Sequence, residues 1–580
     1  MSKKHWDTNH ESKLHESMKK YIVHAIITLL AILIFIPGLG LVQLFDWDEL
    51  NFAESAREMH SSGKGLYVQI AFEPFWEKPP LFIWIQVFFI SLFGEHTWVY
   101  RLPNVLAGVI SVNMAYHIGY FLKRRSLGAF WALSLACTFA PLLYFKSGII
   151  DPVFNLFILL SIWHWYRITR CQSENTRPHW HYLLSGLFLG LAILTKGQAA
   201  LIVVGIVILL ATALQGRWKD VFSMRFLVFI LAMATIVCSW LIPIYMQLGA
   251  QFFEAFIGYQ IELVKGQIQW HNQPWFYHPV VLFFLCFPAA SFAAPYLIKK
   301  GKEDFGTESW HLFMRSLFWV VLIIFSIVGT KIIHYSSLCW YSITYFGAYH
   351  TYLIHTNRGK TSSFQKVLLL VSALGIFIAI TGLPIVFGRD VLPEWILPHL
   401  DLFTKSLKQN NAAWTWTSII PGVLMLVWIL PWIVKSSPKI NKHPAYIFAY
   451  TGLVSLGVYC FLLPPVADLL QAELISTVKT ETTKTKLLET HGFKTYALYF
   501  HGNTKSEDFQ GPWLTDTFVQ HRVLNSPYPH QLGKRIYIID VNPPGNKRII
   551  TKCDFVADTY FRYQFTPIDT LGAYWVWKRK

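Results

Sequence analysis

The sequence predicts a polytopic α-helical membrane protein of about 13 transmembrane helices with a small C-terminal soluble α/β domain. Three observations predict it. Of 580 residues 54% are hydrophobic and 17% aromatic while only 14% are charged, far from the composition of a soluble globular chain. Apolar runs long enough to cross a hydrocarbon core of about 30 Å recur as far as Leu463. After Leu463 the composition turns polar and shows strand-like stretches.

The elements follow in order. The first apolar run, residues 22–44, follows a basic segment, is longer than a signal-peptide core and precedes no small-residue cleavage site. It reads as an uncleaved span with its N-terminus in the cytoplasm. Residues 81–93 form a run too short to cross, so it is expected to lie in the interface. The remaining spans are then expected at 101–121, 127–145, 149–168, 182–195, 198–214, 226–247, 276–298, 314–330, 335–354, 367–387, 415–435 and 445–463. With residues 81–93 lying flat, the clusters Lys123–Arg125, Arg167/Arg170, Arg217/Lys219/Arg225, Lys299/Lys300, Arg358/Lys360 and Lys435/Lys439 all fall on the side of the N-terminus. That is the positive-inside pattern, and it assigns that side to the cytoplasm. The membrane domain is therefore residues 1–463, with an external loop over 45–100; an external domain follows over 464–580.

Within the loop, Leu50, Ala53, Ala56 and Met59 recur at helical spacing opposite Glu54, Arg57 and Glu58, which predicts an amphipathic interfacial helix. In the C-terminal domain strands are expected at 495–500, 535–541 and 574–578. The formal charge of +17 suits an anionic membrane surface, and no segment carries a nucleic-acid-binding signature. The seven cysteines form no disulfide framework, since five sit inside apolar runs, Cys171 lies in a basic loop and Cys553 stands alone in the C-terminal domain.

On this topology six clusters converge on the external face: Asp46/Asp48/Glu49, Glu77/Lys78, Asp151, Lys196, His271 and Lys331/His334. Each alone has a plain structural explanation: a helix cap, a proline-led helix start, or a snorkelling cation. Together they place carboxylates that accept protons beside ammonium groups that bind phosphate, all at the headgroup level. A transporter or flippase of lipid-linked sugars is the rival reading. It calls for charges at mid-membrane and related halves, and neither is visible. A membrane-anchored binding protein acting through residues 464–580 leaves the loop over 45–100 unexplained.

At these residues the chain resembles the polyprenyl-phosphate-sugar-dependent glycosyltransferases of the GT-C fold. The nearest groups are the ArnT-like aminoarabinose lipid A transferases and the protein O-mannosyltransferase superfamily. DELNFAESAREM, WEKPPLFIW, YRLPNVLAG, Asp151-Pro152, GLFLGLAILTKG, HNQPWFY and GTKIIHY carry the resemblance over roughly residues 45–340. It implies that Asp48 is the leading catalytic carboxylate, with Glu49 its partner and Asp151 a second external acid. It implies that Lys78, Lys196, His271, Lys331, His334 and Tyr335 bind substrate, lining a cavity for the donor's phosphate and sugar. The donor would be a polyprenyl-phosphate-linked sugar and the acceptor a lipid or a protein at the outer face of a cell inner membrane. No nucleotide is needed, because the donor carries its own leaving group. Glu77 and His271 are candidate ligands for a divalent cation, though two ligands make no site by themselves. The chain departs from the family at Ser336-Ser337-Leu338-Cys339, where an apolar residue and a proline are usual.

Overall fold

The computed structural model describes residues 21–122, 124–174, 178–250, 252–254, 256–258, 261, 273–298, 308–388, 414–434, 444–484, 488–490, 495–505, 548–552, 565–571 and 574–579. His271 and the strand expected at 535–541 lie outside the described residues.

The membrane portion is a bundle of apolar helices: α1 (Tyr21–Phe35), α4 (Leu102–Phe121), α5 (Arg125–Cys137), α6 (Phe139–Phe145), α7 (Asp151–Glu174), α8 (His179–Lys196) and α9 (Ala199–Leu214). It continues with the short α10 (Trp218–Val221), then α11 (Phe226–Leu248), α12 (Tyr277–Leu285), α13 (Ala289–Ile298), α14 (Glu308–Ile327), α15 (Cys339–His355), α16 (Ser363–Gly388), α17 (Ile420–Val434) and α18 (Ala445–Gly457). Ile26, Leu29, Leu30 and Leu33 of α1, and Val367, Val371, Leu374 and Ile378 of α16, stand exposed along helix faces. Such stripes are costly in water and suit lipid, and a helix satisfies its own backbone there. Among the described residues four helices are each long and apolar enough to cross a membrane alone.

Several expected spans are broken. The run at 127–145 is α5 plus α6, bent by 69° at Thr138. The run at 276–298 is divided between α12 and α13 around Phe287-Pro288; proline withholds a backbone N–H and interrupts the ladder. The first span ends at Phe35, and the chain turns through Pro37-Gly38, with Gly38 at φ 78°. Close helix approaches hold the bundle. A Cβ on Gly119 of α4 would lie 2.2 Å from the Gly128 Cα of α5, so only glycine permits that crossing. Trp131, Trp165, Trp310 and Tyr345 fill the centre of the core.

At one end of the bundle lies a second layer. It holds α2 (Asp48–Ser62), the two-stranded β1–β2 hairpin (Gln69–Ile70, Glu73–Pro74) and α3 (Leu81–Phe93). The bounds of α3 are those expected. At about 1.5 Å per residue its 13 residues are too short to cross. It buries Phe82, Ile83, Gln86 and Ile90 and leaves Phe88 and Leu92 exposed. In contrast α2 does not present the open charged face expected of it. Every residue from Glu49 to Met59 is buried, Glu54, Arg57 and Glu58 included. Its charges face protein: Arg57 forms a bidentate pair with Glu54 and also donates to the Thr504 carbonyl at 2.8 Å.

The expected boundary at Leu463/Pro464 falls inside a helix that runs on from α18 through a π-turn into α19 (Leu463–Lys484). The strand expected at 495–500 is instead the short helix α20 (Ala497–His501). Leu469, Leu474, Leu498 and Tyr499 share one apolar core with Leu50, Phe52, Phe82 and Tyr100 of the outer layer. Beyond them β3 (Leu488–Thr490), β4 (Arg548–Lys552), β5 (Phe565–Leu571) and β6 (Tyr574–Arg579) form a sheet in the order β3-β4-β6-β5. The β3–β4 pair is parallel and the rest antiparallel, and β6 covers the strand expected at 574–578.

Candidate active site

Four of the expected residues meet at the junction of bundle and outer layer. Asp151 opens α7 and Lys196 closes α8, where Gly197 at φ 82° returns its N–H to the Ile193 carbonyl. Lys196 Nζ lies 2.5 Å from Asp151 Oδ1, which ties the end of α8 to the start of α7. His334, in the 3₁₀ turn Ile333–Ser336, stands between the two acids. Its Nε2 is 3.9 Å from Asp151 Oδ2 and its Nδ1 is 3.6 Å from Asp48 Oδ2. Asp151 is buried and its Oδ2 accepts no hydrogen bond among the described residues. Asp48 keeps its side chain 48% exposed, so it is the acid open to an incoming molecule.

Lys78 belongs to the same constellation, within electrostatic reach of Glu77, Lys196, Asp48 and Asp151. Burial lowers its ammonium pKa, and Lys196 adds to that while the three carboxylates oppose it. Tyr335 presents its ring to Lys196 at 5.1 Å from the centroid, and burial raises its hydroxyl pKa. A cavity of about 250 Å³ opens beside Asp48 and His334 and continues past Tyr144, Ser147 and Leu463.

Two expectations change. Glu49 was expected as the catalytic partner of Asp48, but both its oxygens are occupied. Oε1 accepts from Arg101 Nε at 2.9 Å and from the Gly148 amide at 2.5 Å; Oε2 accepts from Arg101 Nη2 at 2.8 Å and from the Phe45 amide at 2.9 Å. Burial alone would raise its pKa, yet Arg101 and these amides outweigh burial and hold the carboxyl below the usual range. Glu49 is thus held in place and closed to an incoming molecule. Lys331 does not join the cluster in any described contact: it is buried and donates to the Val328 carbonyl at 2.9 Å. Glu77 is buried beside Lys78, while His271, its expected partner for a cation, lies outside the described residues. Among the described residues no three His, Cys, Asp or Glu side chains gather as a metal site.

The residues that hold this geometry escaped the sequence reading. Arg101 also donates to the carbonyls of Leu39, Val42 and Gln43, and so gathers the end of the first span onto α2. Asn104 donates to the Ser147 and Ile149 carbonyls and sets the turn into Asp151. Both lie in YRLPNVLAG, where an arginine and an asparagine at the mouth of an apolar run were the available signal. The unusual serines also find work: Ser337 accepts from Asn155, one turn beyond Asp151, and Ser336 bonds His278 at 3.1 Å.

Glu58 supports the loop carrying Lys78. Ala71 and Phe72 both adopt positive φ, 58° and 57°, and their amides donate to Glu58 at 2.7 and 2.6 Å. Glu58→Ala is expected to cost about 1–3 kcal/mol for the buried Ala71 amide left without an acceptor, and less for the half-buried Phe72 amide. Thermal unfolding in detergent, with limited proteolysis across residues 64–75, measures this; an unshifted melt and an intact loop would show that the hairpin holds without Glu58.

Similarity to known proteins follows the same residues. A family model described as dolichyl-phosphate-mannose-protein mannosyltransferase matches residues 77–242, the stretch from Glu77 past Lys196. An undecaprenyl phosphate-alpha-4-amino-4-deoxy-L-arabinose arabinosyl transferase of Edwardsiella ictaluri is 25% identical over 439 residues, 71% of this chain and 77% of that protein. A namesake from an Enterobacter species is 26% identical over 433 residues, 71% and 76% of the two chains. The crystal structure of ArnT from Cupriavidus metallidurans bound to undecaprenyl phosphate superposes with a TM-score of 0.70 at 15% identity, covering 96% of this chain and 97% of that one. The chain shares the GT-C fold of that structure and is similar in sequence to these lipid-phosphate-sugar transferases. Its apolar helices are those of a multi-pass membrane protein, and the transporter reading finds no support among the relatives.

Proposed function

We propose that the protein transfers a sugar from an undecaprenyl-phosphate carrier to a lipid acceptor at the outer face of the membrane. The observation that carries this is the meeting of Asp48, His334, Asp151 and Lys196 beside Lys78, with one acid open and the other buried. Lys78 and Lys196 are suited to a phosphate as compact point charges, and the departing carrier phosphate gains negative charge as its bond to the sugar breaks. The acceptor oxygen attacks the anomeric carbon from the opposite side, the bond to the carrier phosphate breaks with its electron pair, and the configuration inverts. Asp48 takes the proton of the attacking O–H. The unsatisfied Oδ2 of Asp151 is suited to a donor group of the sugar. Names of the relatives favour an undecaprenyl carrier and an amino sugar.

The orientation of the chain belongs to this reading. Arg124 and Arg125 stack on Tyr352 and Tyr120, and Arg167 on Phe121, at the ends of α4, α7 and α15 away from the site. Cations there favour a cytoplasmic N-terminus, an external site and an external C-terminal region.

Reconstitution of the purified protein with an undecaprenyl-phosphate-linked amino sugar tests the reaction. Wild type is expected to release undecaprenyl phosphate and glycosylate the lipid; Lys78→Ala is expected to weaken donor use at least tenfold while remaining folded. Mass spectrometry of envelope lipids and glycoproteins from cells with and without the protein identifies the acceptor. Sugar appearing on protein alone would overturn the lipid assignment.

A further inference from the structure

Asp48 is one residue from a strained backbone position. Trp47, which precedes it and forms the cap of α2, sits at φ 74°, ψ −96°, a conformation that side-chain-bearing residues rarely adopt. Such strain persists only where the surroundings over-determine it. On the C-terminal side the surroundings are Glu49, locked to Arg101. On the N-terminal side they are Asp46, whose bonds lead to a distant part of the chain.

Asp46 belongs to the same acidic cluster as Asp48, and its carboxylate is already engaged. Oδ2 accepts from Thr495 Oγ1 at 2.5 Å and Oδ1 from the Tyr496 amide at 2.9 Å and the Trp47 amide at 2.8 Å. Its own amide donates to Gln471 Oε1 at 3.0 Å, and Gln471 Nε2 returns a bond to the Leu44 carbonyl at 2.9 Å. Gln471 lies on α19, the continuation of the last membrane helix, and Thr495 just before α20, so both belong to the chain that follows α18. The strain at Trp47 is therefore spanned by two anchors, one inside the membrane domain and one supplied by the C-terminal region.

We propose that Asp46 is a positioning residue for sugar transfer: by binding Thr495, Tyr496 and Gln471 it makes the C-terminal region hold Trp47 in its strained turn and so fixes the Asp48 carboxylate opposite His334. The inference rests on Asp48 being the acid that acts on the acceptor. Without the Asp46 anchor Trp47 relaxes to negative φ, which re-aims Asp48. The phosphate-binding lysines stand on other elements and keep their places. The C-terminal region is then part of the machinery of the reaction.

The test uses the full-length protein reconstituted in lipid, with an undecaprenyl-phosphate-linked sugar as donor and undecaprenyl phosphate as the binding probe. Asp46→Ala is expected to lower kcat about tenfold to a hundredfold, with the Kd for undecaprenyl phosphate unchanged within a factor of two. Thr495→Val is expected to lower kcat less, and Asp46→Ala/Thr495→Val to be no slower than Asp46→Ala alone, since both act through one contact. Glycine accepts φ 74° without strain, so Asp46→Ala/Trp47→Gly is expected to recover part of the lost kcat. A purely structural anchor would give no such recovery, because glycine loosens the chain further. Asp46→Ala with kcat within twofold of wild type would overturn the proposal, as would a fall in donor affinity parallel to the fall in kcat. Asp48→Asn with near-normal transfer would instead remove the reading of the site, and loss in Asp48→Asn with normal Asp46→Ala would remove the positioning role of Asp46 alone.

Discussion

Asp48→Asn is expected to lower sugar transfer by about 10²–10⁴-fold, the usual contribution of a positioned base. The asparagine keeps the size of the side chain and its place at the start of α2, so folding is not at issue. What it loses is the capacity to take a proton and to attract His334 across 3.6 Å. Binding of undecaprenyl phosphate should be retained, because the cations suited to it stand on other elements: Lys78 before α3 and Lys196 at the end of α8. Steady-state transfer and binding of the carrier, measured on the same reconstituted sample, separate the two. Turnover within tenfold of wild type would take the proton-accepting role from Asp48.

Arg101→Met is expected to be the most damaging change for stability. It leaves Glu49 buried with a charge and no cation, which costs about 3–5 kcal/mol. Three backbone carbonyls, of Leu39, Val42 and Gln43, lose a donor as well. Lysine would not replace it, since one ammonium cannot reproduce the fork that meets both Glu49 oxygens. Glu49→Leu/Arg101→Met should be more stable than Arg101→Met alone, because the orphaned charge is gone. Melting temperatures in detergent, by fluorescence-monitored size-exclusion chromatography, give the comparison. Arg101→Met melting with wild type, or the double variant melting lowest, would show that the pair does not hold the loop.

Legibility in the sequence followed the range of the physics. The short run Leu81–Phe93 was legible as a helix that cannot cross, because length against bilayer thickness is a local property. Asp151 before Pro152 and Lys196 before Gly197 were legible as helix ends, since capping acts within one turn. The convergence of these ends on one face followed from charge bias among the loops once Leu81–Phe93 was read as lying flat. The buried state of α2 was not legible. Its apolar stripe is real, but the partners of its charged face, Thr504 and the amides of Ala71 and Phe72, come from other segments.

The sequence by itself determined that the chain is a helical membrane protein with carboxylates and lysines at one end of its spans. Hydropathy, span length and loop charge are set by neighbouring residues and by the bilayer. Only the tertiary structure decided which of three adjacent acids is free. Asp46 is taken by Thr495 and Tyr496, 449 and 450 residues away, and Glu49 by Arg101, 52 residues away; Asp48 remains open. A carboxylate's role depends on which donors reach it, and those donors arrive through folding from places that no local pattern names.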